Sequence, residues 1–358
     1  MRELTSAILE YNSRIKESMI YENNFIDYER RWCELEGFRY EVSRYIEGYD
    51  GKTNKDISSK VTVLENGHLI DHHALGYFSP MSIKRYGFTD PSFGVLIKRS
   101  PLEQIKILND YFKDNGIRFI YVPLPCKTAI DPHIFVSDAV IPKDNMVIPQ
   151  WRSLICELVK EGIEIVDCYI KLSEHKLSFS HNHHVSPIGA NVIGRAVSDY
   201  IKNTTEYSED SLFTSINDVI GSPVLSRSGD NNSIELNIDY YSTNKYYYQQ
   251  DGVARPYSGR NYNSDLAIIG DCNLQCYRGT GFDVTAQISG CLRYPIKYLG
   301  RYLPFAKFDS IDKLPAGSLA NVKMLIYIGF VSGCFVRACH EEDEWSTRLP
   351  SESVFRLA

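Results

Sequence analysis

The sequence has no excess of positive charge, no run of Lys or Arg, no long apolar stretch and no internal repeat. Its 358 residues carry 39 Lys and Arg against 45 Asp and Glu, a formal net charge of -6. A protein held to nucleic acid by phosphate contacts needs the opposite balance, so no nucleic-acid partner is expected. No stretch approaches the roughly 18 apolar residues of a membrane span. The N-terminal stretch MRELTSAILEYNSRIKES is charged throughout and lacks the apolar centre of a secretory leader, so the chain is expected to be cytoplasmic. Cysteine is sparse and odd in number, nine in all, at 33, 126, 156, 168, 272, 276, 291, 334 and 339. Several lie in apolar runs such as SLICELV and IEIVDCY, where Cys acts as a small hydrophobe. That argues against a disulfide framework and points to mostly reduced thiols.

What is present is ordinary for a globular chain, with 43% hydrophobic and 23% charged residues. Tyrosine stands out, at 25 residues, and is concentrated between 203 and 264. Leu4, Ile8, Tyr11, Ile15 and Met19 recur at helical steps, so residues 1–60 read as an N-terminal helical segment ending in the polar run DGKTNKDISSK. The main domain is placed at 61–340, with a Tyr-rich insertion near 203–264, and 341–358 reads as a polar tail.

Within the main domain VTVLENGHLID predicts a hairpin about Asn66-Gly67. Ser100-Pro101-Leu102-Glu103 is a capping box with proline at the first helical position. Leu102, Ile105, Leu108 and Phe112 then give a helical stripe, Gly116 stops it, and IRFIYVP follows as a strand. WRSLICELVKE, Gly162 and IEIVD repeat that helix-glycine-strand order. Ser186-Pro187 opens a further helix through Val192, Ile193, Ala196, Val197, Tyr200 and Ile201. NSIELNIDYYS and NKYYYQQ predict an exposed hairpin, and LAIIG and VKMLIYIGF predict buried strands. The alternation argues for an α/β class with a mainly parallel sheet.

Three segments carry chemistry. Gly270-Asp271-Cys272-Asn273 follows the strand LAIIG directly. A nucleophile there points into the crevice at the carboxyl edge of a parallel sheet. Cys attacks as the thiolate, favoured by an imidazolium nearby. The second is Ser180-His181-Asn182-His183-His184-Val185-Ser186-Pro187-Ile188-Gly189-Ala190. The Ser-Pro pair fixes the helix start, so His184 lies in the loop before it, placed as a general base, with Asn182 able to orient the ring. His183 stands beside it as the other candidate. The third is Tyr121-Val122-Pro123-Leu124-Pro125-Cys126-Lys127, which delivers Lys127 to the same edge as a substrate group or a solvated lysine, with Cys126 as a competing nucleophile. His175, His181, His183, His184, Cys272 and Cys276 also form a loose set of metal-binding residue types. Their spacing matches no zinc pattern, so neither metal nor cofactor is expected. His72-His73 reads as surface.

The order VPLPCK, VDCY, NHHVSPIGA, LAIIGDCN resembles the SGNH-hydrolase-like domain of the alginate O-acetyltransferase family. Those proteins carry a V-P-x-P-x-K strand end, a D-x-H-W-[ST]-P-x-G-A block and a later G-D-S block. The likeness runs over roughly residues 61–335. It implies a three-layer α/β/α fold and transfer of an acetyl group to or from a sugar hydroxyl. By the same resemblance Cys272 stands at the nucleophilic Ser, His184 at the catalytic His and Asn182 at the Asp. Pro187, Gly189 and Ala190 match the helix opening, and Val185 replaces the Trp.

Serine needs an anion behind the imidazole, whereas a cysteine pre-ionises against His and a neutral Asn suffices to orient the ring. The paired changes therefore read as a coherent switch to a thiol enzyme, which is favoured, or as decay to an inactive protein. In the first reading Cys272 attacks an acyl carbonyl with His184 as base. The backbone N–H of Cys272 and the side chain of Asn273 hold the oxyanion at a site framed by Gly270, Asp271 and Lys127. The partners are then an acyl donor and a carbohydrate or glycoconjugate acceptor. The alternatives are a catalytically inactive glycan-binding or scaffolding protein, and a thiol-dependent thioesterase or amidase.

Overall fold

A computed structural model describes residues 61–63, 69–71, 88–90, 95–97, 100–125, 127–130, 155, 157–175, 177–180, 184–210, 212–227, 234–259, 263–301 and 317–330. The expected N-terminal helical segment, the polar tail, the Asn66-Gly67 turn and His72-His73 lie outside the described residues. Two small antiparallel pairs come first, β1 (Val61–Val63) with β2 (Leu69–Asp71) and β3 (Phe88–Asp90) with β4 (Val95–Ile97). The first pair supplies both arms of the predicted hairpin.

The helix predicted from the capping box is α1 (Pro101–Asp114), and Ser100 Oγ accepts from the Glu103 N–H at 3.2 Å. It ends at Gly116, whose φ of 72° lies in the left-handed region that ends helices. The strand β5 (Arg118–Leu124) follows, buried along almost its whole length. Next come α2 (Lys127–Ile130), α3 (Tyr169–Ser173) and the long α4 (Pro187–Thr204). Later elements are β6 (Phe213–Arg227), β7 (Ile234–Gln250), β8 (Val253–Pro256), β9 (Leu266–Gly270), α5 (Val284–Leu292), β10 (Lys297–Arg301) and β11 (Met324–Phe330).

The central sheet runs β10-β9-β11-β5, and every pairing is parallel. Ile326 pairs with Ile268 on one side and Ile120 on the other, which centres β11. Alternation along the strands divides the core into two faces. Ile120, Val122, Leu124, Leu266, Ile268, Ile326 and Ile328 pack with Ile193, Val197 and Ile201 of α4 and with Ile288 and Leu292 of α5. On the opposite face Phe119 stacks on Phe112 of α1, with centroids 5.5 Å apart, and Tyr121 stacks on Tyr327 at 5.3 Å. Helices on both faces of a parallel sheet make the three-layer α/β/α arrangement expected from the sequence.

Two expectations are corrected. IEIVD is not a regular strand. It adds a single parallel bridge at Ile165, with the Tyr121 N–H donating to the Glu164 carbonyl and the Val166 N–H to the Tyr121 carbonyl, both at 2.9 Å. The two arms expected of a Tyr-rich hairpin belong to one 17-residue strand, β7. Its partners are β6 and β8, in a separate three-stranded antiparallel ribbon. The tyrosines of this ribbon largely build its joint with the core. Tyr241, Tyr246 and Tyr257 are buried, and the Tyr257 hydroxyl donates to the Ile296 carbonyl at 2.8 Å and accepts from the Ile296 N–H at 2.7 Å. Tyr240 is the contrast, 69% exposed.

At the amino edge of the sheet, away from the candidate site, Arg118 grips Glu164. Its Nε lies 3.0 Å from both carboxylate oxygens, its Nη2 also bonds Glu164, and the Tyr200 hydroxyl donates to the same carboxylate at 2.7 Å. Removing one partner of a buried pair strands the other. Glu164→Ala is expected to destabilise the fold by about 3–5 kcal/mol in denaturant unfolding, and an effect below about 1 kcal/mol would refute this role.

Candidate active site

The site is assembled at the carboxyl edge of the parallel sheet, where β9 gives way to a tight turn. Gly270 is the last residue of β9, and glycine is needed there because a Cβ would lie 2.1 Å from the Ile328 carbonyl oxygen of β11. The chain leaves the sheet with the Asp271 N–H donating to that same carbonyl at 3.1 Å. Asp271 then caps a single helical turn, Cys272–Leu274, accepting the Asn273 N–H on Oδ1 at 2.8 Å. Cys272 is the first residue of that turn and is half-buried.

The histidine arrives from the loop before α4. Ser186 caps α4, its Oγ accepting the Gly189 N–H at 3.1 Å. Gly189 is needed where a Cβ would meet the Ser178 carbonyl oxygen at 2.0 Å. Phe179 and Val185 form an antiparallel bridge, and Ser180 donates to the His184 carbonyl from its N–H at 2.8 Å and from its hydroxyl at 3.0 Å. Val185 is sunk in the core, so alternation along this short extended piece turns His184 the other way. Its Nε2 stands 3.2 Å from Cys272 Sγ, across 88 positions of sequence. At that distance either the thiol donates to a neutral ring or an imidazolium N–H donates to the thiolate.

The remaining predicted residues divide. Asn182 lies outside the described residues, as do Cys126, His181 and His183. Lys127 is buried, and its Nζ donates to the Ser180 carbonyl at 2.8 Å, a contact with the histidine loop rather than a solvated position. Asn273, expected beside an oxyanion, is turned inward. Its Nδ2 donates to Asp271 Oδ1 at 2.8 Å and its Oδ1 accepts from the Val185 N–H at 2.9 Å. Cys276 donates to the Cys272 carbonyl at 3.5 Å, and burial, helped by Asp271, pushes its thiol up to about 11, so it is the wrong thiol for nucleophilic work. Among the described residues no group of three or more His, Cys, Asp or Glu is placed to hold a metal ion, and no helix is long and apolar enough to cross a membrane.

Sequence reasoning missed the brace behind the Cys272 turn. Tyr277 turns the chain at a φ of 58°, and the Tyr246 N–H of the ribbon donates to the Gly281 carbonyl at 3.0 Å. Asp283 caps α5 through the Ala286 N–H at 3.1 Å and holds the Gly279 N–H at 3.2 Å. Its sequence signal was a capping Asp after the Gly279–Gly281 pair.

Neither a protein-family model nor a curated protein matches this sequence. Solved structures do match. The O-acetyltransferase domain of Pseudomonas putida AlgJ superposes with a TM-score of 0.52 at 12% identity, over 79% of this chain and 94% of that one. Pseudomonas aeruginosa AlgX superposes with a TM-score of 0.50 at 14% identity, over 80% of this chain and 65% of that one. The fold is α/β with a mainly parallel central sheet, of the SGNH-hydrolase-like kind. In fold it is similar to AlgJ and AlgX, in keeping with the family resemblance carried by the sequence blocks.

Burial raises the Asp283 carboxyl to about 7, against an ordinary unfolded value near 3.9. The native state therefore holds this proton more tightly than the unfolded state. The stabilisation is full below pH 4 and is lost as pH rises through 7, on the order of 4 kcal/mol over that span. Asp283→Asn keeps a capping side chain and is expected to flatten this part of the stability–pH curve. An unchanged curve in denaturant unfolding would contradict the assignment.

Proposed function

We propose that this protein is an SGNH-like acyl-transfer enzyme with a cysteine nucleophile, moving an acetyl-class group to or from a hydroxyl of a carbohydrate or glycoconjugate. The observation that carries the reading is the 3.2 Å approach of His184 Nε2 to Cys272 Sγ at the carboxyl edge of the sheet. The AlgJ likeness adds support, since that structure is an O-acetyltransferase domain.

In the proposed sequence the Cys272 thiol gives its proton to His184 Nε2. The thiolate then adds to the acyl carbonyl, forming the S–C bond and moving the carbonyl electron pair onto oxygen. The Cys272 backbone N–H is the proposed oxyanion donor. Collapse expels the donor's leaving group, which takes the proton from the imidazolium and leaves an acyl-Cys thioester. In the second half His184 Nε2 removes the proton of an acceptor hydroxyl, whose oxygen attacks the thioester, and Cys272 leaves as the thiolate. Water in place of the hydroxyl gives deacylation by the same steps. Asn182 is the proposed orienting residue for the ring. A neutral amide is adequate there because the ion pair stores its charge on sulfur before attack, whereas a serine would need a carboxylate.

The test is site-resolved iodoacetamide labelling of Cys272 between pH 4 and pH 10, beside His184→Ala. Labelling is expected to begin well below an ordinary thiol pKa near 8.5. In His184→Ala the rate near pH 6 is expected to fall on the order of tenfold or more. A wild-type profile like that of an unperturbed thiol would overturn the reading and leave a fold-retaining glycan binder as the better account.

A further inference from the structure

Asn273 is 1% exposed, and its side-chain polar atoms are directed at protein groups. The two ends of its amide face different chain segments. On the nucleophile side Asp271 Oδ1 takes both the Asn273 N–H and Nδ2–H, each at 2.8 Å. On the histidine side Oδ1 accepts the Val185 N–H at 2.9 Å. This also fixes the orientation of the amide. A flipped amide would set oxygen against the Asp271 carboxylate and nitrogen against a peptide N–H.

Val185 directly follows His184, so the peptide group linking them is held by Asn273 on its N–H and by Ser180 on its carbonyl. The next peptide is held by the bond from the Ser186 N–H to the Ser178 carbonyl at 3.0 Å. The Ser180 and Ser178 contacts fold the histidine loop on itself. The Asn273 contact joins that loop to the turn carrying Cys272.

We infer that Asn273 is the positioning residue of this site, an amide clamp that sets the distance between Cys272 and His184 rather than a group that touches the acyl oxygen. The role rests on the thiol reading given above. It explains why an asparagine is required, because one end must donate to a carboxylate and the other accept from a peptide. A leucine would leave the buried Val185 N–H unsatisfied, and an aspartate would face Asp271 with a second carboxylate. It also explains how two groups 88 positions apart hold a 3.2 Å contact, since a displacement of about 1 Å at either would open it.

The test uses two variants of the full chain. Asn273→Ser keeps a donor for Asp271 but is too short to reach Val185, and Asn273→Asp replaces the donor to Asp271 with a second carboxylate. Two readouts are taken, amide hydrogen exchange at Val185 with Ile326 of β11 as the reference, and the pH profile of Cys272 alkylation. In Asn273→Ser, Val185 exchange is expected to accelerate on the order of tenfold or more while Ile326 stays protected. The Cys272 midpoint is expected to move up toward that of an ordinary thiol. In Asn273→Asp the new carboxylate is repelled by Asp271, so Val185 exchange is expected to accelerate as well while Ile326 stays protected. An ordinary midpoint in the wild-type protein overturns the thiol reading and the positioning role with it. A lowered wild-type midpoint that Asn273→Ser leaves in place overturns the positioning role alone. Should Asn273→Ser fail to fold, a folded Asn273→Asp protein that keeps both Val185 protection and the lowered Cys272 midpoint overturns the clamp.

Discussion

The parallel pairing of β9 with β11 is the constraint from which the site follows. In a parallel sheet all strands release their chains at the same edge, so the ends of β5, β9 and β11 converge there. Glycine at 270 allows β9 to approach the Ile328 carbonyl closely at its end, and the Asp-capped turn then presents Cys272 at that edge. Lys127, released from β5 at the same edge, reaches the carbonyl of Ser180 in the histidine loop. The packing of α4 and α5 on one face, and of α1 on the other, keeps the strands in register. No one of these elements carries the chemistry alone. Their shared polarity brings residues far apart in sequence within a hydrogen bond of one another.

Selection among the thiols comes from environment. Cys168 is fully buried, and desolvation drives its thiol strongly upward, with the Asp167 charge adding to the effect. Cys276, four residues past Cys272, is raised by burial and by Asp271. Cys291 is raised mainly by burial and lies 3.4 Å from the Tyr246 hydroxyl. Among the described cysteines Cys272 is set apart by an imidazole nitrogen 3.2 Å from its sulfur. This is the setting in which a thiol ionises readily.

Much of this was legible in the sequence where local rules are strong. The Ser-Pro openings of α1 and α4, the glycine after α1, and the apolar runs of β5, β9 and β11 are signals carried by a few adjacent residues. The pairing of Cys272 with a histidine was legible through motif order, because strand ends in a parallel sheet meet at one edge. Other parts depend on tertiary structure. Helix α5, VTAQISGCL, is buried on nearly every side and mixes Thr, Gln and Ser among its apolar residues, so it shows no amphipathic stripe. IEIVD has the composition of a strand, yet its regular pairing is limited to the bridge at Ile165. The sequence of β7 suggests two arms because Ser242-Thr243-Asn244, residue types common in turns, interrupt its middle. The direction of the Asn273 amide was beyond reach, since only Asp271 and Val185 together determine it.

The central claim is that Cys272 forms a covalent bond to an acyl group with His184 as its base. The direct measurement is intact-protein and peptide mass spectrometry after brief exposure to an activated aryl acetate at neutral pH. The account predicts one acetyl group, as a thioester on Cys272, strongly diminished in His184→Ala and removed by hydroxylamine. Acetylation confined to lysines, or a Cys272 modified no faster than Cys276, would contradict it.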